Sequence, residues 1–125
     1  MYERLKELLK NAYSPYYNFG VSAIVVMKDG KTFEGVNVEN ANGTSICAER
    51  HAIGAAVTQG YRKNDFDRIY IMLSNGEFGT PCFACRQVLL EFFNKDSKVI
   101  SVDKDGNEKE YTIDELCPYP FDLEQ

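Results

Sequence analysis

The chain has 125 residues, of which 44% are hydrophobic and 26% charged, and its net charge is −5. This length and composition predict one globular domain over residues 1–125 and exclude a second. The acidic charge argues against nucleic acids and anionic membrane surfaces as partners, and the lack of a secretory pattern or an apolar run of about 20 residues predicts a cytoplasmic protein.

The N-terminal third of the sequence predicts a helix followed by a hairpin. Apolar residues between Leu5 and Ala12 recur at helical spacing, and Pro15 ends the pattern. The β-branched segment 21–27 predicts a buried strand. Asp29-Gly30 is a hairpin signal, so residues 32–38 are expected to return as an antiparallel strand.

The middle of the chain predicts two helices separated by a strand. One helix is expected over 46–59, with Gly60 at its left-handed end. Alternating apolar residues over 68–73 predict a short strand. The next helix is expected to begin at Thr80-Pro81, where a typical N-cap residue is followed by proline at the first helical position.

The C-terminal part predicts a second hairpin and a short helix. Strands are expected over 98–102 and 108–112, joined by a turn at Asp105-Gly106. Thr112 and Glu115 form a capping-box pattern that opens the last helix. The order α-β-β-α-β-α-β-β-α predicts an α/β fold in which helices flank one mixed five-stranded sheet.

Four cysteines carry the main chemical signal: Cys47, Cys82, Cys85 and Cys117. In a chain with an adequate core and no secretory pattern, metal binding or catalysis is favoured over disulfides. The first three lie at predicted helix starts, where free N–H groups lower thiol pKa values. Three thiolates leave one tetrahedral position of Zn²⁺ open for water, as in catalytic zinc sites, and Glu49 is near enough in sequence to carry protons.

The residues alone also admit other interpretations. A Cys-x-x-Cys pair fits a thiol–disulfide redox site, although this leaves Cys47 and Glu49 without a role. A structural zinc site needs a fourth ligand, either Cys117, which is interpreted as packing, or His51, one helical turn after Cys47. On an ideal helix Cys47 and Glu49 point roughly 200° apart, so spacing does not by itself place both in one site.

Two motifs in the sequence resemble the cytidine deaminase family. They are Cys47-Ala48-Glu49-Arg50 and the segment 81–87, which reads Pro-Cys-Phe-Ala-Cys-Arg-Gln. Together they match the known signature of zinc deaminases, whereas either half alone is weakly specific. Segments 12–19, 35–41 and 116–121 also resemble the family, so the likeness covers nearly the whole chain and implies a three-layer cytidine deaminase-like fold.

The resemblance implies a role for each matching residue. Cys47, Cys82 and Cys85 bind one Zn²⁺ per chain, and Arg50 lies beside their thiolates to offset the negative charge. Glu49 carries a proton from the attacking water to the pyrimidine N3 and then to the leaving ammonia. The residues implied to bind the nucleoside are Phe19, Asn37, Glu39, Ala48 and Phe121. Phe121 would act in a neighbouring subunit's site, which implies a homotetramer.

The chain departs from the family pattern at points that bear on substrate choice. The segment between Glu39 and Cys47 is one residue shorter than usual, and Asn42-Gly43 stands where the family often has an aromatic residue at a subunit contact. Tyr17 replaces a more usual small residue beside the base pocket, and Pro120 precedes Phe121 at a position where a small residue is common.

The leading functional hypothesis is a hydrolase that deaminates cytidine or deoxycytidine in pyrimidine salvage. A deaminase of blasticidin S or another modified cytosine nucleoside is an alternative, but it would not need Asn37 and Glu39 to hold an ordinary ribose. A polynucleotide deaminase needs basic surface, and the turn at Asp105-Gly106 leaves no room for the crossover helix of those relatives. A structural zinc module would have no use for Glu49.

Overall fold

The structure of the protein, a computed structural model, describes residues 1–121 and residue 123. Within these residues the chain forms one five-stranded sheet with four helices, and the predicted α/β class is confirmed. The elements in chain order are α1 (Tyr2–Leu9), β1 (Val21–Met27), β2 (Thr32–Val36), α2 (Ala48–Thr58), β3 (Phe66–Leu73), α3 (Phe83–Phe92), β4 (Lys98–Val102), β5 (Glu108–Thr112) and α4 (Ile113–Leu116).

The sheet is mixed, with strand order β2-β1-β3-β4-β5. β3 and β4 pair in parallel, and the other neighbouring strands pair antiparallel. A parallel pair needs a crossover connection, and α3 supplies it between β3 and β4. The loop from β3 into α3 therefore emerges at the carboxyl end of β3, where the functional cleft lies.

Both faces of the sheet are covered, which explains the continuous apolar run of β1. Ala23 and Val25 face the core under α2 and α3, whereas Ile24 faces α1. Leu5 of α1 is fully buried against that second face. Because strand side chains alternate between faces, a strand buried on both sides has no polar alternation.

Several local predictions are confirmed. The two predicted hairpins have Gly30 and Gly106 at φ of +92° and +85°, a region that glycine enters without steric cost. Gly60 follows α2 at φ +100°. Thr112 and Glu115 form the capping box that opens α4.

Several predicted boundaries are wrong: β3 begins at Phe66 rather than 68, and the starts of α2 and α3 and the end of β2 also differ. α2 begins at Ala48 rather than 46, with Cys47 as N-cap, and α3 begins at Phe83 with Cys82 as N-cap rather than at Thr80-Pro81. Both caps have extended backbone, and cysteine is not among the usual N-cap residues. β2 ends at residue 36 rather than 38 because the chain turns away into isolated bridges.

The approach of α2 to β2 is unusually close at Gly35. A Cβ atom built there would lie 2.4 Å from the carbonyl oxygen of Ala48 and 2.7 Å from the backbone nitrogen of Ala52. Backbone atoms cannot step aside as a flexible side chain can. Glycine at this position therefore fixes how deeply the first turn of α2 sits on the sheet.

No helix in the described part of the chain has the length and apolar character needed to cross a membrane.

Candidate active site

The N-terminal ends of α2 and α3 bring three thiols together. Cys47 caps α2, and Cys82 caps α3. Their Sγ atoms are 3.8 Å apart, and with Cys85 the three Sγ atoms all lie within 4.8 Å of one another. Cysteine sulfur is a preferred zinc ligand, and three such ligands leave a coordination position for a reactant.

Local helix geometry explains why Cys82 and Cys85 converge. An N-cap side chain reaches the backbone N–H of the third helical residue. Here the Cys82 sulfur accepts this bond from the N–H of Cys85 at 3.5 Å. The Cys82 side chain is therefore turned back over the first turn of α3, toward the buried Cys85 side chain.

Cys47 and Glu49 reach the same site because Cys47 is not helical. Its φ and ψ are −75° and 153°, so it precedes the first turn and the ideal helical angle between the two side chains does not apply. Glu49 is the second residue of α2 and is only 4% exposed. Both residues line one cleft, so the roughly 200° between side chains two positions apart on an ideal helix does not keep them from sharing a site.

The surroundings of Cys47, Cys85 and Glu49 shift their pKa values in different directions. A hydrogen bond from Cys85, aided by Arg50, lowers the pKa of Cys47 despite its burial. The pKa of Cys85 is raised by Cys47 and by burial. The pKa of Glu49 is raised mainly by burial, with a further contribution from the negative charge of Cys47.

Arg50 places a positive charge beside this cluster of thiols. Its Nη2 donates to the Cys47 sulfur at 3.5 Å and to the Ser45 carbonyl oxygen at 3.2 Å. Its Nε is buried and has no hydrogen-bond partner among the described residues. The guanidinium is thus held against the thiols, where its charge favours their ionised form.

A cleft of about 400 Å³ opens in front of the thiols. Cys47, Ala48, Glu49 and Phe19 are among the residues that line it. This volume is in the range of small-molecule sites, with apolar walls and few polar groups. A wider groove of about 1000 Å³, between the β1–β2 hairpin and the end of α2, includes none of the three thiols.

Asn37 and Glu39 lie on the same cleft as the thiols. The Asn37 amide accepts a hydrogen bond from the Val21 N–H at 2.8 Å and donates one to the Phe19 carbonyl at 2.9 Å. Glu39 is 6% exposed and accepts hydrogen bonds from Ser14, Tyr16 and Tyr17. Burial raises the pKa of this carboxyl, but those three hydrogen bonds outweigh it and lower the pKa overall.

Three other residues weighed from the sequence lie away from the thiols. The His51 Nδ1 is 2.6 Å from the Val36 carbonyl oxygen, so the ring is turned toward β2. The Cys117 thiol contacts the Arg86 carbonyl oxygen at 3.6 Å and packs at the edge of the core. Phe121 is 65% exposed and lies over α3 outside the cleft of its own chain.

Sequence reasoning missed two residues that shape the site. Arg86 donates to the carbonyl oxygens of Pro81 and Leu116 and to the Thr80 hydroxyl, which ties the approach to α3 onto α4. Ser14 contacts the Glu39 carboxylate at 2.5 Å. Arg86 belongs to a recognised motif, but nothing in the sequence signals the contact of Ser14 with a residue 25 positions away.

Comparison with known proteins places the chain among deaminases. The family model described as "Cytidine and deoxycytidylate deaminase zinc-binding region" matches residues 1–102. The cytidine deaminase of Mycoplasma genitalium is 40% identical over 120 residues, which cover 95% of this chain and 91% of that protein. The cytidine deaminase of Halalkalibacterium halodurans is 40% identical over 116 residues, covering 92% and 86%.

Solved structures agree with these sequence matches. The cytidine deaminase of Burkholderia pseudomallei superposes with a TM-score of 0.89 at 38% identity, covering 95% of this chain and 94% of that one. The enzyme of Mycobacterium leprae superposes with a TM-score of 0.79 at 31% identity, covering 94% of each chain. The three-layer fold expected from the sequence is confirmed by these superpositions.

Proposed function

Because the chain belongs to the cytidine and deoxycytidylate deaminase family, we propose that it is a zinc-dependent hydrolase that converts cytidine or deoxycytidine to uridine or deoxyuridine. One observation carries this proposal. A buried carboxyl, Glu49, lies in the same cleft as the three clustered thiols. Neither a redox dithiol nor a structural metal site has a use for that carboxyl.

The donor set fits a zinc ion. Three sulfur ligands within 4.8 Å of one another suit a soft tetrahedral site. Three thiolates that close would repel each other strongly, and a divalent cation reduces the cluster to a net charge of −1. The Arg50 guanidinium beside Cys47 offsets the remaining charge. We therefore assign Cys47, Cys82 and Cys85 as the zinc ligands.

Bound zinc would supply Lewis acidity that makes a water molecule nucleophilic near neutral pH. The chain contributes proton transfer through Glu49, whose raised pKa suits a group that both accepts and gives a proton. Glu49 takes a proton from the attacking water and delivers it to N3 of the pyrimidine. It then passes a second proton to the departing amino group, so that cytidine and water become uridine and ammonia.

The remaining cleft residues hold the nucleoside. We assign the sugar to Asn37 and Glu39, because both are polar, line the cleft and keep hydrogen-bonding capacity beyond their contacts within the protein. Ala48 leaves room for the base above the first turn of α2, and the ring of Phe19 offers it an apolar surface. These assignments follow the matching positions of the family motifs.

We further propose that 1–125 is one domain that assembles as a cytoplasmic homotetramer serving pyrimidine salvage. Exposed aromatic side chains around α3 and α4 support the assembly: Phe83, Tyr119 and Phe121 are 79%, 102% and 65% exposed. In this arrangement Phe121 acts in a neighbouring subunit's cleft. Light scattering coupled to size-exclusion chromatography tests the assembly, with four chains per particle expected and a monomer contradicting it.

The activity is tested by ultraviolet absorbance with cytidine, deoxycytidine, cytosine and blasticidin S as substrates. We expect turnover of the two ordinary nucleosides, with cytosine a very poor substrate, because a site built to bind a sugar hydroxyl rejects a ligand without one by about 10⁴-fold or more. Preference for blasticidin S would instead assign the cleft to modified nucleosides.

A further inference from the structure

Ser14 connects the two sides of the proposed nucleoside site. Its hydroxyl contacts the Glu39 carboxylate at 2.5 Å and the backbone N–H of Phe19 at 2.9 Å. We propose that Ser14 is a positioning residue that orients Glu39 so that one of its acceptor positions is presented to a sugar hydroxyl of the substrate. This inference rests on the proposed function, since it presumes that Glu39 binds the sugar.

The direction of the two Ser14 hydrogen bonds is fixed by its partners. The Phe19 N–H is a donor, so the Ser14 oxygen must accept from it. An ionised carboxylate only accepts, so the hydroxyl proton must point to the Oε2 atom of Glu39. The hydroxyl therefore cannot rotate without losing a bond to a charged group, which is the stronger kind of hydrogen bond.

Counting acceptor positions shows what remains for a ligand. A carboxylate has about four lone-pair positions. The Oε1 atom of Glu39 accepts from the N–H groups of Tyr16 at 2.9 Å and Tyr17 at 3.2 Å, so both of its positions are used. Ser14 takes one position on Oε2. The single position left on Oε2 is suited to a hydroxyl donor, and the cleft that Glu39 lines would supply it.

The segment that carries these donors is itself closed by Ser14. The Ser14 carbonyl oxygen accepts from the N–H of Asn18 at 3.0 Å, and Asn18 has a φ of +50°, a left-handed conformation that asparagine tolerates. The next residue in the chain, Phe19, lines the cleft. This turn therefore closes the segment that presents the N–H groups of Tyr16 and Tyr17 to the Glu39 carboxylate.

The test compares cytidine with the free base cytosine, because a merely structural residue would affect both. In Ser14→Ala we expect the KM for cytidine to rise roughly tenfold with kcat within about twofold, the order of effect of one lost hydrogen bond to a charged group. kcat/KM for cytosine should not change. Calorimetry should show a parallel weakening of uridine binding but not of uracil binding.

Three variants complete the design. Ser14→Thr keeps the hydroxyl and should keep the natural ratio of kcat/KM for cytidine to kcat/KM for cytosine. Ser14→Cys has a side chain of similar size, but its thiol is a weak hydrogen-bond donor, so this variant should behave like Ser14→Ala. Ser74→Ala is the matched control, because the Ser74 hydroxyl accepts from the N–H of Gly20 at 2.8 Å, close to this segment but away from Glu39. It should leave the ratio unchanged.

The variant Glu39→Ala distinguishes failure of the positioning role of Ser14 from failure of the proposed sugar-binding role of Glu39. If Glu39→Ala narrows the cytidine-to-cytosine ratio and Ser14→Ala and Ser14→Cys do not, Ser14 has no positioning role and the sugar assignment stands. If Ser14→Ala lowers kcat/KM for cytidine and for cytosine in proportion, the role of Ser14 is structural and the proposal is overturned. If Glu39→Ala leaves the ratio unchanged, the sugar role and the positioning role fall together, while cytidine turnover still supports the deaminase.

Discussion

The sulfur atoms of Cys47 and Cys82 lie 3.8 Å apart, although 35 positions separate the residues in the chain. Each residue caps a different helix with an extended backbone, so both thiols leave the helix ends rather than the helix sides. The site is therefore built where two helix N-termini meet, and its geometry depends on how α2 and α3 sit on the sheet.

We predict one zinc ion per chain in protein purified under reducing conditions. Chelation should abolish turnover and lower the melting temperature, because metal binding stabilises the folded state, and one equivalent of zinc should restore both. Elemental analysis and calorimetry measure these effects. A Cys82–Cys85 disulfide in freshly reduced protein that lacks zinc and still deaminates cytidine would refute the assignment.

Gly35→Ala should disturb the candidate site by displacing the first turn of α2 from the sheet. The added Cβ would clash with backbone atoms of Ala48 and Ala52, and overpacking of this kind costs about 1–3 kcal/mol or more. We expect a lower free energy of unfolding together with weaker zinc retention, because the same turn carries Cys47 and Glu49.

Gly54→Ala is the matched control for this prediction. Gly54 is exposed on α2, and a Cβ atom built there would meet nothing within 4 Å. Alanine should stabilise the helix by up to about 1 kcal/mol. Equal stability changes of the same sign in the two variants would contradict the close approach of α2 to β2.

The glycine contact illustrates the limit of sequence reasoning. The hairpin glycines Gly30 and Gly106 were predictable because an Asp-Gly pair is a local turn signal. Gly35 lies inside a predicted strand, and its requirement arises only when α2 packs across it. Local patterns therefore predicted the elements and their order, but not the distances between them.

In the candidate site, too, residue types were predictable from the sequence, whereas contacts that depend on the fold were not. The thiols and Glu49 were identified from residue type and motif, and the family resemblance added Arg50. The helix starts were misplaced because cysteine acts as N-cap for both helices, a role its local sequence does not signal. Ser14 was missed because its partner Glu39 is joined to it only by the fold.

Arg50→Gln should weaken activity less than loss of Glu49 does. Arg50 contacts the Cys47 sulfur rather than the substrate, and loss of such an outer partner typically costs about 10–100-fold in metal affinity or activity. Arg50→Lys keeps the charge but not the planar guanidinium, so its activity should lie between those of the natural protein and Arg50→Gln. Competition with a chelator measures zinc affinity, and an unchanged affinity in Arg50→Gln would show that the guanidinium does not support the cluster.

The Tyr61–Asp29 pair predicts a pH dependence of stability away from the site. The Tyr61 hydroxyl donates to Asp29 at 2.6 Å, and this bond lowers the pKa of Asp29 and raises that of Tyr61. A lowered carboxyl pKa contributes stability above its unfolded value and loses it as the pH falls. A raised phenol pKa contributes stability below its unfolded value and loses it as the pH rises.

Tyr61→Phe isolates this effect, because it removes the hydroxyl and keeps a ring to pack against Phe33, whose centroid is 5.4 Å away. The difference in melting temperature from the natural protein should be largest between about pH 5 and pH 9. It should narrow below about pH 4 and above about pH 10. A difference that is constant across this range would show that the pair does not titrate with folding.

The central claim is that the buried Glu49 transfers protons during hydrolysis of cytidine, and Glu49→Gln tests it most directly. Glutamine keeps the shape of the side chain but cannot carry a proton, so turnover should fall by at least about 10²–10⁴-fold. Zinc content and melting temperature, measured on the same samples, should stay close to those of the natural protein. A variant that keeps one zinc per chain and a kcat within about threefold of the natural protein would contradict the account, because general acid–base catalysis cannot be lost at so small a cost.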